Sequence, residues 1–120
     1  MARKSIPKRV REQVYEKYNG HCAYCGIELG YKDMQVDHLV PIEGWSMQGD
    51  DSFDNLMPSC RMCNHYKRAH DLEYWRKMIE EIPKKLLRDN YIYRVGLRYN
   101  LIEPNEHKVK FYFEKAEHER

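Results

Sequence analysis

Long apolar runs are missing from this sequence. No stretch approaches the roughly 18 consecutive apolar residues that a membrane-spanning helix needs. The opening Met-Ala-Arg-Lys-Ser-Ile-Pro is not followed by an apolar segment, so no secretory signal is expected and a soluble, cytoplasmic protein is. A dominant charge is missing too: Lys and Arg number 21 against 19 Asp and Glu, a net charge of +2. That balance does not by itself mark a nucleic-acid binder. Internal repeats and low-complexity tracts are absent, and 120 residues fit one ordinary domain. With 33% charged residues and a mean hydropathy of -0.91, the core of that domain must be small. Cysteine is scarce, four in all, and inside a cell four cysteines serve as metal ligands or free thiols more readily than as disulfides.

What is present is arranged unevenly. Arg3, Lys4, Lys8, Arg9 and Arg11 all precede the first acidic residue, Glu12, so the chain opens on a basic segment able to meet phosphates. The four cysteines fall into two C-x-x-C pairs, Cys22/Cys25 and Cys60/Cys63. Two such knuckles complete an all-thiolate tetrahedral site, which reads as structural zinc. Compact zinc ribbons separate their pairs by about 15–20 residues; here 34 residues lie between Cys25 and Cys60. The metal would therefore staple the base of a long excursion, as a small domain with a small core requires.

Periodicity gives the elements. Val10, Val14 and Tyr18 recur at helical spacing over 6–18, and Asn19-Gly20 ends that helix. "MQVDHLVPI" reads as a strand, and residues 44–54 as a polar loop. A helix is expected around the second knuckle, and another over about 71–82 with Asp71 as cap and Leu72, Trp75, Ile79 and Ile82 facing inward. Pro83 interrupts it, "KKLLRD" forms one more turn, and 91–102 is open between helix and strand. In the tail Val109, Phe111 and Phe113 alternate with polar neighbours, which reads as a half-buried strand.

The excursion carries Asp37 and His38 side by side in an apolar run, a costly place for both unless they are paired. Asp37 is a hard oxygen ligand suited to a divalent cation, and His38 is the best general-base candidate near neutral pH. Asn55 follows the polar loop and is placed to tie it down through its amide. Asn64 comes directly after Cys63, where its carbonyl oxygen can meet the same cation. Lys67 and Arg68 follow three and four positions later, within reach of a phosphate.

Together "CAYCG…VDHLVPI…DNLMPSCRMCNHYK" resembles the HNH endonuclease family in its zinc-binding four-cysteine branch, over about residues 7–70. The resemblance implies a ββα-metal fold, two antiparallel strands and a helix around a catalytic divalent metal. It implies His38 as the residue that activates water, Asp37 as a metal ligand, Asn55 as the residue that shapes the His-bearing loop, and Asn64 as the second metal ligand. By that resemblance the chain would be an H-N-N variant, with His65 beside Asn64 as the alternative third residue. The expected whole is α+β: a small zinc-stapled ββα-metal core over about 7–70, with flanking helices and a C-terminal β-strand in an extension over about 71–114, forming a single domain over 1–120.

The function expected from this is hydrolysis of DNA phosphodiester bonds with structural Zn2+ and catalytic Mg2+ or Mn2+. Backbone contacts would come from the basic N-terminal residues with Lys67, Arg68, Lys84, Lys85 and Arg88, and sequence preference would be weak. One site cuts one strand, so a homodimer or a protein partner is open. Two other classes stand beside this reading: a non-catalytic zinc-stapled nucleic-acid-binding module, and a phage or mobile-element accessory protein acting through another protein.

Overall fold

The computed structural model describes residues 5–45 and 47–118; Arg3 and Lys4 lie outside them. The chain forms two units, one of the described residues within Met1–Leu72 and Lys110–Arg120, the other of Glu73–Val109. No helix among the described residues is long and apolar enough to cross a membrane.

In the first unit, helix α1 (Lys8–Glu16) buries Val14 completely. Lys17, just past its end, donates to the carbonyls of Phe53 at 2.9 Å and Leu56 at 2.8 Å, fixing α1 to the entry of the second strand. Strands β1 (Gln35–His38) and β2 (Leu56–Ser59) pair antiparallel, with Gln35 opposite Ser59 and His38 opposite Leu56. This two-stranded sheet has only edges, so Pro58 fits in β2 without costing a ladder bond that a central strand would need. Its carbonyl instead accepts from Ala23 of the first knuckle at 2.8 Å. β1 is shorter than the apolar run foretells: after His38 one more bond, Leu39 N–H to Asn55 carbonyl at 2.8 Å, continues the pairing before Pro41 ends it. Helix α2 (Arg61–Lys67) follows β2 directly. The fold is thus α+β, helices with one small antiparallel sheet and four cysteines placed to bind a metal.

The tail departs from its expectation. No strand forms there; the chain enters helix α6 (Tyr112–His118). The Phe111 amide donates to the Glu114 carboxylate at 2.8 Å and the Glu114 amide returns to the Phe111 carbonyl at 3.0 Å. An acidic residue at the third helical position reaching back in this way starts a helix. Alternation reported burial correctly, since Phe111 and Phe113 are both buried and pack edge-on against Tyr24. It did not report backbone conformation.

The second unit holds helices α3 (Leu72–Glu80, whose first residue belongs to the other unit), α4 (Ile82–Asp89) and α5 (Tyr91–Arg98). Pro83 sits in the first turn of α4, where its missing N–H costs nothing. Asn90 caps α5 by accepting from the Tyr93 amide at 2.8 Å, which settles 91–102 as helical at its start. The segment returning from α5 is anchored to α3: Arg76 donates to the Val109 carbonyl and the Val109 amide donates to Glu80, both at 2.8 Å.

Candidate metal centre and active site

The four cysteine sulfurs lie within 4.8 Å of one another. Cys25 and Cys60 are 3.8 Å apart at sulfur. A tetrahedron with zinc–sulfur bonds near 2.3 Å has edges of about 3.8 Å, so the donor set fits zinc. Backbone amides already serve the sulfurs as they would serve thiolates: Cys60 N–H points at Cys22 Sγ at 3.3 Å, and Cys63 N–H at Cys60 Sγ at 3.4 Å. The hydrogen bond from the Cys63 thiol holds Cys22 down at about 4 despite its burial. Burial first, then the Cys22 charge, pushes Cys25 up to about 11, and Cys63 is raised by its bond to Cys22 and by burial. One thiolate is thus favoured and its neighbours resist; a dication at the centre reverses that resistance. His21 is engaged elsewhere, its ring stacked on Tyr112 with centroids 5.3 Å apart.

The excursion between the knuckles builds a second centre. On β1 alternate side chains share a face, so Gln35 and Asp37 project together and α2 packs on that side. Asn64 Nδ2 donates to Gln35 Oε1 at 2.6 Å. That bond fixes which way the amide points and leaves Oδ1 free for another partner. One turn further along α2, Lys67 Nζ pairs with Asp37 Oδ2 at 3.1 Å and donates to the His38 carbonyl at 3.0 Å. The Tyr24 hydroxyl donates to the same Asp37 oxygen at 2.5 Å. Burial and the Asp37 charge hold the Tyr24 hydroxyl well above the ordinary phenol range, so it stays a donor.

His38, next along the strand, sends its ring to different partners. Nε2 lies 2.8 Å from Asp51 Oδ1. Asn55 shapes the loop that brings Asp51 there. Its Oδ1 accepts from the Val40 amide at 2.8 Å, while Nδ2 donates to the carbonyls of Val40 at 2.9 Å and Asp50 at 2.8 Å. Asp50 in turn accepts from the Ser52 amide and hydroxyl, which holds its carboxyl below the usual range. Gly49 is required by close approach: a Cβ there would stand 2.0 Å from the Val40 carbonyl oxygen.

Two expected phosphate contacts are corrected. Lys67 is fully buried, its ammonium taken by Asp37 and His38, because the inner face of α2 is Cys63 and Lys67 rather than a solvated stripe. Arg11 is an internal brace, donating to the carbonyls of Tyr31 at 2.9 Å and Met34 at 2.7 Å and lying over the Tyr31 ring. Lys8, Arg9 and Arg68 are exposed. Sequence reasoning passed over Asp51, Gln35 and Tyr24. Asp51 looked like any carboxylate of a polar loop; Gln35 had a signal, its place two residues before Asp37 on the same strand face.

Comparison with known proteins follows this geometry. Residues 22–70 match the family model described as HNH endonuclease. The chain is 34% identical over 68 residues to a CRISPR-associated endonuclease Cas9 of Corynebacterium diphtheriae, covering 56% of this chain and 6% of that protein. It is 33% identical over 66 residues to a CRISPR-associated endonuclease Cas9 of Actinomyces naeslundii, covering 55% and 6%. The chain thus spans about 6% of the length of the curated relatives it matches. The crystal structure of the Type II-C Cas9 enzyme from Actinomyces naeslundii superimposes with a TM-score of 0.51 at 28% identity, over 62% of this chain and 8% of that one. The segment that carries both cysteine knuckles, the sheet and α2 is thus the part of this chain that is similar to the HNH endonuclease family.

Proposed function

We propose that the chain hydrolyses DNA phosphodiester bonds in a reaction that needs a divalent cation, with His38 as general base. The observation that carries this reading is the 2.8 Å bond between His38 Nε2 and Asp51 Oδ1, inside the matched segment. A carboxylate only accepts, so Nε2 must hold the proton and the lone pair of the neutral ring lies on Nδ1. Nδ1 is then the atom that takes the proton from an attacking water. Asn55 keeps the His38–Asp51 pair in register by tying Val40 and Asp50 together.

Asp37 and Asn64 offer the hard oxygens that would hold Mg2+ or Mn2+. The donor chemistry fits: the Gln35 bond occupies Asn64 Nδ2 and leaves Oδ1 as the acceptor, and Asp37 is a carboxylate on the strand face that carries Gln35. Such a cation, when bound, supplies charge stabilisation at the phosphate and the leaving oxygen. The residues of the chain supply position and proton transfer, with Lys67 balancing the Asp37 charge and holding the His38 carbonyl. The cysteines would hold structural Zn2+. Lys8, Arg9 and Arg68 are exposed cations that support backbone contacts, and the similarity to two CRISPR-associated endonucleases supports an endonuclease.

The test is incubation of the zinc-loaded chain with supercoiled plasmid, with and without magnesium or manganese. Conversion to open-circular or linear DNA that depends on the added cation is the expected result. His38→Ala should lower it by roughly a hundredfold to ten-thousandfold, the usual share of a general base, with circular dichroism and zinc content unchanged. Equal activity of the two proteins would remove the nuclease reading.

A further inference from the structure

Helix α5 carries a face that neither metal centre uses. Tyr91, Arg94, Val95 and Arg98 recur at i, i+3, i+4 and i+7, and Tyr99 follows at i+8, so all five share one side. Tyr91 is 70% exposed and Tyr99 71%. Together the five line a cavity of about 330 Å³, at the small end of the range ligand pockets span. The opposite side of α5 is closed by the chain itself. Gly96 is buried because Ile102 packs on it, where a Cβ would stand 2.5 Å from Ile102 Cδ1, and the Leu101 and Ile102 amides donate to its carbonyl.

Charge is as uneven as polarity here. Between residues 84 and 98 lie Lys84, Lys85, Arg88, Arg94 and Arg98 against the single acid Asp89, which Arg88 already holds at 2.9 Å. Arg94 is held in place, donating to the carbonyls of Leu87 at 3.0 Å and Arg88 at 2.9 Å, with its guanidinium 5.9 Å from the Tyr91 ring centre. Exposed aromatic rings interleaved with fixed cations suit one ligand chemistry above others: a polymer of flat rings on an anionic backbone.

We propose that this face binds single-stranded nucleic acid, bases stacking on Tyr91 and Tyr99 and phosphates meeting Arg94 and Arg98. Eight residues of helix set the two rings about 12 Å apart along the axis, several times the ~3.4 Å step of stacked bases. They would therefore hold bases that are unstacked from one another, as in an extended strand, while a duplex hides its base faces. The proposal rests on the nuclease reading for the choice of DNA as the polymer; the binding itself is independent of catalysis.

The experiment is a fluorescence-anisotropy titration of a labelled oligothymidylate, and of a duplex of equal length, with the zinc-loaded full chain carrying His38→Ala and no added magnesium. The single strand should bind more tightly. Tyr91→Ala with Tyr99→Ala should weaken that binding roughly tenfold or more, whereas Tyr91→Trp with Tyr99→Trp should retain it. Arg98→Ala should flatten the dependence of log affinity on log salt by about 0.7. Equal binding by the alanine and parent proteins, or equal loss in the tryptophan protein, would overturn the proposal. A parent that is dimeric by size exclusion and becomes monomeric in the alanine protein would also overturn it, making this face a contact between copies. Plasmid cutting by the chain with His38 intact separates the two readings. Cutting together with unchanged α5 binding removes this proposal alone, and α5-dependent binding without cutting removes only the nuclease.

Discussion

At the scale of single residues the decisive pair is His38 and Asp51. The Asp51 side chain is 60% exposed, and a polar contact so open to water contributes about 0–1 kcal/mol to stability. Its worth lies in orienting a ring. Asp51→Ala should therefore leave the melting temperature nearly unchanged while lowering kcat on the order of tenfold or more, with KM little affected. Asp51→Asn keeps an acceptor oxygen at the same place and should restore most of the loss. The imidazole nitrogen resonances of His38 report the same event without turnover: Nε2 protonated in the parent and in the Asn protein, a tautomer mixture in the Ala protein. Unchanged resonances in Asp51→Ala would show that the loop, and not this carboxylate, orients the ring. The sequence announces Asp37 and His38 because polar residues inside an apolar strand violate a strong pattern. It is silent on Asp51, since Asp50, Asp51 and Asp54 share one loop and only its folded path chooses among them.

Between elements, the packing of α2 on β1 turns on Lys67. The lysine side chain is 0% exposed and Asp37 opposite it is 10%. Breaking a buried pair by removing one partner costs about 3–5 kcal/mol, because the other charge stays behind uncompensated. Lys67→Met should show that loss in urea unfolding without added magnesium. Lys67→Met with Asp37→Asn should recover much of it, and a double variant as unstable as the single would mean the lysine acts through its bond to the His38 carbonyl instead. This contact also marks a boundary of sequence reading. A lysine beside an arginine on a short helix reads as a wet face, and only the carboxylate across the interface reverses the helix's orientation. The tail failed for a related reason. The alternation correctly implied burial of Phe111 and Phe113, though Val109 is only half-buried, and the choice between strand and helix was made by Glu114 capping the Phe111 amide. By contrast the cysteine frame and the helices α1 and α3 were legible, because spacing and period 3.6 depend on nothing distant.

For the molecule as a whole, the question is what holds a unit with so few buried apolar side chains. β1, β2 and α2 are short, and the loop between the strands is fixed by polar bonds from Asn55 rather than by a core. Zinc in small cysteine sites contributes about 10–16 kcal/mol of apparent binding energy, against a total stability of about 5–15 kcal/mol for ordinary domains. On those magnitudes zinc held by the four cysteines, as proposed, would decide whether the first unit is folded. Removing zinc with a chelator, then restoring magnesium alone, should abolish hydrogen-exchange protection in β1, β2 and α2 and end plasmid cutting. Cys63→Ser, at a buried ligand, should do the same without a chelator. Acid works in one direction: the thiolates must be generated for zinc to bind, and Cys25 and Cys63 resist ionisation in its absence. Protons therefore compete with the metal, and zinc release should grow as pH falls, followed by loss of protection at the same midpoint. If protection in β1 and β2 outlasts zinc release, Tyr24, Phe111 and Phe113 hold the frame by packing, and the cysteines only tighten it.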